Sequence, residues 1–420
     1  MPDKVNAKKS EDRFLMAQSF SEDRVTYSPL RASYRSAMKL LRLVLINVAV
    51  FISLLGFCFL VVEIWARTQP RNMFIEFDPV LGFRLKPDVE GIYRGLSVLH
   101  PNPEIHTKVQ INSLGLRGPE VSIGKPPGVR RLLILGDSFV EAFEVPYEQT
   151  FYARLEKMAQ AAGHFPLQVL SMGVMGYGTA QELLWLRQNG NLIKPDVVLL
   201  ILFLGNDVVD NSRALHFSGA RPYFDLVGNQ LELVSLPNAL NRYKYWAAEH
   251  IRSFLLYKEL AVRFSGIRQL LDRFSLDNNP GRGSTAPRTQ SDPRPYRGYQ
   301  LTFALVKEMQ RTTKKLGSHL LVAYYGDYQT GLPEDGSELT AAFCIREKVE
   351  CLNLNPDVNP DPRNVVPNDG HWSVAGHRVV ADSLWRQWGA YLTRPIPLHT
   401  GLRADEGTEA SIKIPAAAPY

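Results

Sequence analysis

Cysteine is nearly absent from this sequence of 420 residues, which contains only Cys58, Cys344 and Cys351. Three cysteines cannot build the disulfide framework that holds small secreted domains together. Cys58 lies in an apolar run. Cys344 and Cys351 are near enough in sequence for a disulfide, if their half of the chain meets an oxidising compartment, or for two separate buried thiols. The histidines and cysteines lack metal-ligand spacing, so neither a metal nor another cofactor is expected. An excess of one charge is also missing. The net charge is +6, carried largely by an N-terminal arm and scattered arginines, which is no nucleic-acid footprint. No internal repeat is visible. What remains is an ordinary globular composition, 45% hydrophobic and 21% charged, which argues against wholesale disorder. The length allows one large domain or two ordinary ones.

One stretch lacks charge altogether. Leu43 to Val62 carries no Asp, Glu, Lys or Arg, and is long enough to cross a hydrocarbon core of ~30 Å as a helix. Lys4, Lys8, Lys9, Arg13, Arg24, Arg31, Arg35, Lys39 and Arg42 precede it, while Trp65 and Arg67 stand where interfacial anchors belong. The basic arm orients the N-terminus to the cytoplasm. A cleaved signal peptide fits less well, because the basic region is too long and no small-x-small site follows Val62. A buried core helix is the plainer rival. The expected organisation is a cytoplasmic arm (1–42), a membrane anchor (43–66), a β-rich lead-in (67–128), a main domain (129–394) with an insertion (211–298), and a disordered tail (395–420). The main domain is then periplasmic or extracellular, on a single-pass inner-membrane protein.

In the main domain strand and helix signals alternate. The apolar run Leu132–Leu135 opens the series and reads as a buried strand ending in Gly136-Asp137-Ser138. A helix follows at about Glu148–Ala162, then a strand at Leu167–Ser171 and a helix at Thr179–Asn189, which Thr179 can cap. Lys194–Leu204 is a third strand. After the insertion come a helix (Leu301–Lys315), a strand (His319–Tyr325), a helix (Ser337–Lys348), a short strand (Cys351–Leu354) and a last helix (Ser373–Leu392). Such repeats predict a parallel sheet with helices on both faces. In the insertion, Phe254 to Phe274 carries a helical apolar stripe interleaved with arginines. A helix packed on the domain is favoured over a lid or a membrane-facing helix. The segment from Asp277 to Tyr299 reads as a loop.

A serine at the carboxyl end of a central strand is either a nucleophile or a helix cap. A nucleophile needs a base, and Asp369-Gly370-His371 can bring carboxylate and imidazole together at the same sheet edge. His377, one turn into the last helix, is a fallback base. An oxyanion site needs donors, which Gly176, in Gly173-Val-Met-Gly-Tyr-Gly178, and the Asn206 amide, in Gly205-Asn206-Asp207, can provide.

These four blocks, in this order, resemble those of the SGNH (GDSL-type) hydrolases over about Arg131 to Leu392. The resemblance implies a flavodoxin-like three-layer α/β/α fold with a five-stranded parallel sheet, here preceded by one transmembrane helix. It makes Ser138 the nucleophile, His371 the general base and Asp369 its orienting acid. The Ser138 N–H, Gly176 N–H and Asn206 amide form the oxyanion hole, and Asp137 and Asp207 are structural. Three departures stand out. Phe139 replaces Leu, which should matter little; Ser171 replaces a common Asn; and the last block is Asp-x-His instead of Asp-x-x-His, with Asn368 at the longer spacing. The shorter spacing is similar to that of SGNH-like proteins of polysaccharide O-acetylation. The leading expectation is a membrane-anchored serine esterase acting on acyl, first of all acetyl, esters of an envelope glycan or lipid. An O-acyltransferase with the same triad, working with polysaccharide-modification partners, is second. A non-catalytic scaffold or glycan-binding module is third.

Overall fold

In the computed structural model the described residues are 28–68, 74–95, 102–163, 166–254, 256, 294–327 and 335–394. The proposed tail, most of the Phe254–Phe274 stripe, most of the 277–299 loop and much of the basic arm lie outside them; the end of that loop, from Arg294, is helical instead, because it continues into the next helix. The described residues divide into two compact units. The first is built on one long helix, α1 (Ser28–Thr68). From Tyr34 to Thr68 it is long and apolar enough to cross a membrane, because nothing in Leu43–Val62 needs water and every backbone group is satisfied within the helix. Near its end the Glu63 carboxylate accepts the backbone N–H groups of Arg252 and Ser253, at 3.1 and 2.8 Å, in the short segment that completes this unit.

The second unit begins with two antiparallel pairs, β1 (Ile75–Asp78) with β2 (Gly82–Leu85) and β3 (Val89–Tyr93) with β4 (Thr107–Ile111). The alternating units follow: β5 (Arg130–Gly136), the one-turn α2 (Ser138–Glu141), α3 (Phe151–Ala161), β6 (Leu167–Gly173), α4 (Thr179–Ile193), β7 (Val197–Phe203) and the one-turn α5 (Asp207–Asp210). The insertion contributes a hairpin, β8 (Tyr223–Val227) and β9 (Gln230–Ser235), and α6 (Asn241–His250). The alternation resumes with α7 (Arg294–Lys315), β10 (His319–Tyr325), α8 (Gly336–Glu347), β11 (Glu350–Asn353), the one-turn α9 (Asn355–Val358) and α10 (Val374–Leu392).

Five strands form one parallel sheet in the order β11-β10-β7-β5-β6, which is the flavodoxin-like order. Every residue of β5 is buried, as a central strand covered on both faces requires. Its side chains alternate between two cores. Leu133 and Leu135 join Leu183, Leu186, Leu305 and Met309 of α4 and α7. Leu132 and Ile134 join Phe151, Leu155, Leu384 and Trp388 of α3 and α10. Three layers result, and the sheet reverses direction of growth between β5 and β7. Cys344 of α8 and Cys351 of β11 form a disulfide, which decides between the two alternatives left open by the sequence.

Two local readings are corrected. Thr179 is the first helical residue of α4, and the cap position is Gly178. The buried N-terminal end of that helix is served from elsewhere: Asn211 Oδ1 accepts the Ala180 N–H at 3.1 Å. The helix foreseen at Glu148 starts as a 3-10 turn, Tyr147–Gln149, and becomes α-helical only after Thr150, whose side chain caps it.

Candidate active site

The site is assembled where three parallel strands end. In an open α/β sheet this crevice, at the point where strand order reverses, is where ligands bind. After β5 the chain turns at Asp137, whose Oδ1 accepts the Phe139 N–H at 2.9 Å and caps α2. That turn sets Ser138 at the head of the helix, 7% exposed. The turn lies against β6 so closely that a Cβ on Gly173 would stand 2.0 Å from the Glu141 nitrogen. Glycine at 173 is what lets α2 lie there.

His371 comes from a tight loop before α10. Asn368 (φ +60°) and Gly370 (φ +94°) adopt left-handed backbone, which these two residue types tolerate best. The Val366 N–H bonds back to the His371 carbonyl at 2.8 Å. Folded this way, Asp-x-His brings its own ends together: the His371 Nδ1–H donates to Asp369 Oδ1 at 2.5 Å. On the other side of the ring, the Ser138 hydroxyl donates to Nε2 at 2.8 Å. Asn368, at the longer spacing, is exposed. His377 is buried and accepts the Phe151 N–H on Nδ1 at 3.3 Å. Burial holds its pKa well below the ordinary histidine value, so it stays a neutral packing residue. Phe139, the residue that departs from the family name, packs its ring 5.0 Å from the imidazole and 4.9 Å from Trp372. Its size therefore matters to the site more than the sequence indicated.

The three expected oxyanion donors sit at neighbouring strand ends. Asn206 follows β7, and its amide Nδ2 donates to Asp137 Oδ2 at 2.9 Å, which fixes the side chain and leaves its second N–H. Gly176 follows β6 with φ +77°. Neither the Gly176 N–H nor the Ser138 N–H donates to another backbone group among the described residues.

The electrostatics are unusual in the number of buried acids. Burial pushes Asp137 up to about 6, against the Phe139 N–H and the Asn206 amide that pull it down. Burial also pushes Glu141 to about 8 and raises Glu144. It drives Glu182 and Asp207 well above the carboxylate range, with neighbouring acids adding to the effect. The His371 imidazole is held up at about 9: burial lowers it, but the Asp369 hydrogen bond and the charges of Glu144, Asp369 and Asp137 outweigh that. Asp369 is held low because its bond to His371 outweighs its partial burial. One carboxyl oxygen each of Glu144, Asp369 and the ring nitrogen Nδ1 lie within 4.8 Å of one another. That is close enough for a cation, but Nδ1 spends its proton on Asp369, and a protonated nitrogen cannot ligate.

The lead-in, whose role the sequence left blank, braces this site. Arg117 Nη1 donates to the Glu141 carbonyl at 3.0 Å and also to that of Ala142, and Nη2 donates to the Val145 carbonyl at 2.6 Å. Thr107 Oγ1 donates to the Glu144 carbonyl at 3.1 Å. Asn102 Nδ2 donates to the Pro367 carbonyl, beside the Asp369 loop, at 3.0 Å. The Tyr177 hydroxyl and the Gln181 amide bond to the Phe83 and Leu81 carbonyls at 2.5 and 2.7 Å. The partners of these side chains are backbone carbonyls, which have no sequence signature.

No family model matches the chain, and no curated protein matches it. Solved structures do. The chain is similar to TesA, at 12% identity and a TM-score of 0.35, covering 62% of this chain and 99% of that one. It is similar to the psychrotrophic esterase EstA from Pseudoalteromonas sp., at 11% identity and a TM-score of 0.36, covering 63% of this chain and all of that one. An acetyl xylan esterase, AlAXEase, shares 14% identity with a TM-score of 0.33 and coverage of 61% and 98%. Likeness at this level assigns no activity. The sheet order and the site define a class on their own terms, an open parallel α/β protein with a Ser–His–Asp hydrogen-bond chain at its switch point.

Proposed function

We propose that the protein is a serine ester hydrolase of the SGNH type, anchored in a membrane by α1 with its α/β unit outside the cytoplasm. The observation that carries the reading is the continuous path from Ser138 Oγ through both nitrogens of His371 to Asp369, at 2.8 and 2.5 Å. Ser138 Oγ attacks the ester carbonyl carbon while His371 Nε2 takes its proton. The negative oxygen of the tetrahedral intermediate is met by the Ser138 and Gly176 N–H groups and the free N–H of Asn206. The carbon–oxygen bond to the alcohol then breaks, and His371 returns the proton to the leaving oxygen. Water, deprotonated by His371, releases the acid from Ser138. The substrate proposed is an acyl ester, first of all acetyl, on an envelope glycan or lipid. The disulfide supports the location, since such bonds persist in oxidising compartments.

The Asp-x-His spacing favours one alternative, transfer of the acyl group to a sugar hydroxyl in place of water. Both are tested with the full chain in detergent and p-nitrophenyl acetate. Turnover that vanishes in Ser138→Ala, together with fluorophosphonate labelling lost in that variant, is the expected result. Acetyl found on an added oligosaccharide would move the reading to transfer. A wild-type protein that neither turns over nor labels would leave a non-catalytic envelope scaffold or glycan-binding module.

A further inference from the structure

Glu144 is a buried acid that faces the base and has no hydrogen-bond partner among the described residues. It stands just after α2 and is 6% exposed; neither carboxyl oxygen has a hydrogen-bond partner. Its Oε1 lies 3.6 Å from His371 Nδ1, the nitrogen that also faces Asp369. We propose that Glu144 is a positioning residue for His371, a second acid that shares with Asp369 the task of holding the imidazole and the positive charge the ring takes from Ser138. The inference rests on the serine-hydrolase reading only for its kinetic arm.

The argument is one of partners. A buried carboxylate left without a hydrogen bond or a cation is among the costliest groups a protein can hold. Arg117 is the other cation near Glu144, but its two terminal nitrogens are taken by the carbonyls of Glu141, Ala142 and Val145. The remaining groups that face it, Glu141, Asp369 and the Tyr93 phenol, are acids themselves. The imidazole is the largest influence favouring a charge on Glu144, ahead of its own backbone N–H and the Arg117 charge. Burial pushes the carboxyl's pKa up. Beside an imidazolium it is stabilised as the anion, and the ring is stabilised in return. The two opposite charges hold each other, so the ring keeps its proton to a higher pH when Glu144 is present. Asp369 fixes the ring plane by a short hydrogen bond, and Glu144 adds charge from a second direction.

The test uses the full chain labelled with 15N-histidine, with His371→Ala to assign the ring. In wild type the ring should lose its imidazolium signature at a higher pH than in Glu144→Gln, by about one pH unit, a tenfold change in proton affinity. An unchanged titration overturns the proposal, and this readout does not depend on any esterase activity. If Glu144→Gln fails to fold, Glu144→Asp should show a smaller shift in the same direction, and no shift there overturns it equally. With p-nitrophenyl acetate, Glu144→Gln should lower kcat about tenfold with KM unchanged and move the acid limb of the pH profile to lower pH. Asp369→Asn should keep residual turnover that the double variant with Glu144→Gln reduces to the His371→Ala level. Asp369→Asn already as inactive as His371→Ala would show that Glu144 shares nothing. Turnover undiminished in Ser138→Ala would instead remove the hydrolase reading and leave the titration result standing.

Discussion

Arg117 holds the carbonyls of Glu141, Ala142 and Val145 just beyond the nucleophile's turn. Arg117→Ala would strand buried carbonyls, at roughly 1–3 kcal/mol for each left unsatisfied, and let α2 drift. We expect kcat to fall at least tenfold, and Arg117→Lys not to restore it, since an ammonium cannot span the fork; steady-state kinetics and denaturant midpoints check both. Glu141 makes a second prediction. Burial raises it to about 8 from an ordinary 4.5, so the folded state binds this proton more tightly than the unfolded chain. The associated stability is complete below about pH 4.5 and is lost as pH rises through about 8. His371 runs the same way, from its ordinary 6.5 to about 9. Melting temperature should therefore fall between about pH 5 and 9, and Glu141→Gln should flatten the lower part of that fall. An equally steep curve in the variant would exclude Glu141 as a cause. The sequence pointed to Ser138, Asp369 and His371 because their chemistry has a known partner type at a known spacing. Arg117, Glu141 and Glu144 escaped it because their significance comes from burial and from backbone partners.

At the scale of elements, the strands were the most legible part. Runs such as Val197–Phe203 are apolar on both faces because the sheet is covered on both faces, so periodicity and length suffice. Helix starts were less legible, since α4 borrows Asn211 from another element as its cap. The lead-in was read as short β pieces, but which surface its hairpins brace depends on contacts far apart in sequence, such as Gln181 with Leu81. Two element-level predictions follow from close approach and from cross-linking. A Cβ at 173 would meet the Val140 carbonyl carbon at 2.3 Å as well as the Glu141 nitrogen, so Gly173→Ala must push α2 away from β6. A displacement of that order should cost about 100-fold in turnover, while far-UV circular dichroism stays unchanged. Unaltered turnover would mean that α2 is not held where the structure has it. Joining Cys344 to Cys351 closes a loop with a sequence separation of 7. For so short a loop the chain-entropy model gives about 2–3 kcal/mol. The double serine variant should lose that much in denaturant unfolding, and reductant should lower wild type to the same midpoint.

The whole molecule joins a span that only a membrane or a protein core would tolerate to an α/β unit containing a disulfide. Leu43–Val62 is an exposed apolar stretch of α1. The basic residues lie before the span, and the disulfide lies after it. If the positive end stays in the cytoplasm, the α/β unit is delivered where Cys344 and Cys351 can be oxidised and where envelope esters are within reach. With the opposite orientation both thiols would face the reducing pool that keeps cytosolic cysteines free. Thiol chemistry therefore reads the topology. In cells expressing the full chain, alkylation with a large maleimide after denaturation should modify a single cysteine, Cys58, the free one among the three. Two further sites should react only after reduction. Cys344→Ser should then expose Cys351 to an impermeant maleimide in intact cells. Three reactive thiols without reductant, or protection of Cys351 until the membrane is opened, would place the serine site in the cytoplasm and remove envelope glycans and lipids from its substrates.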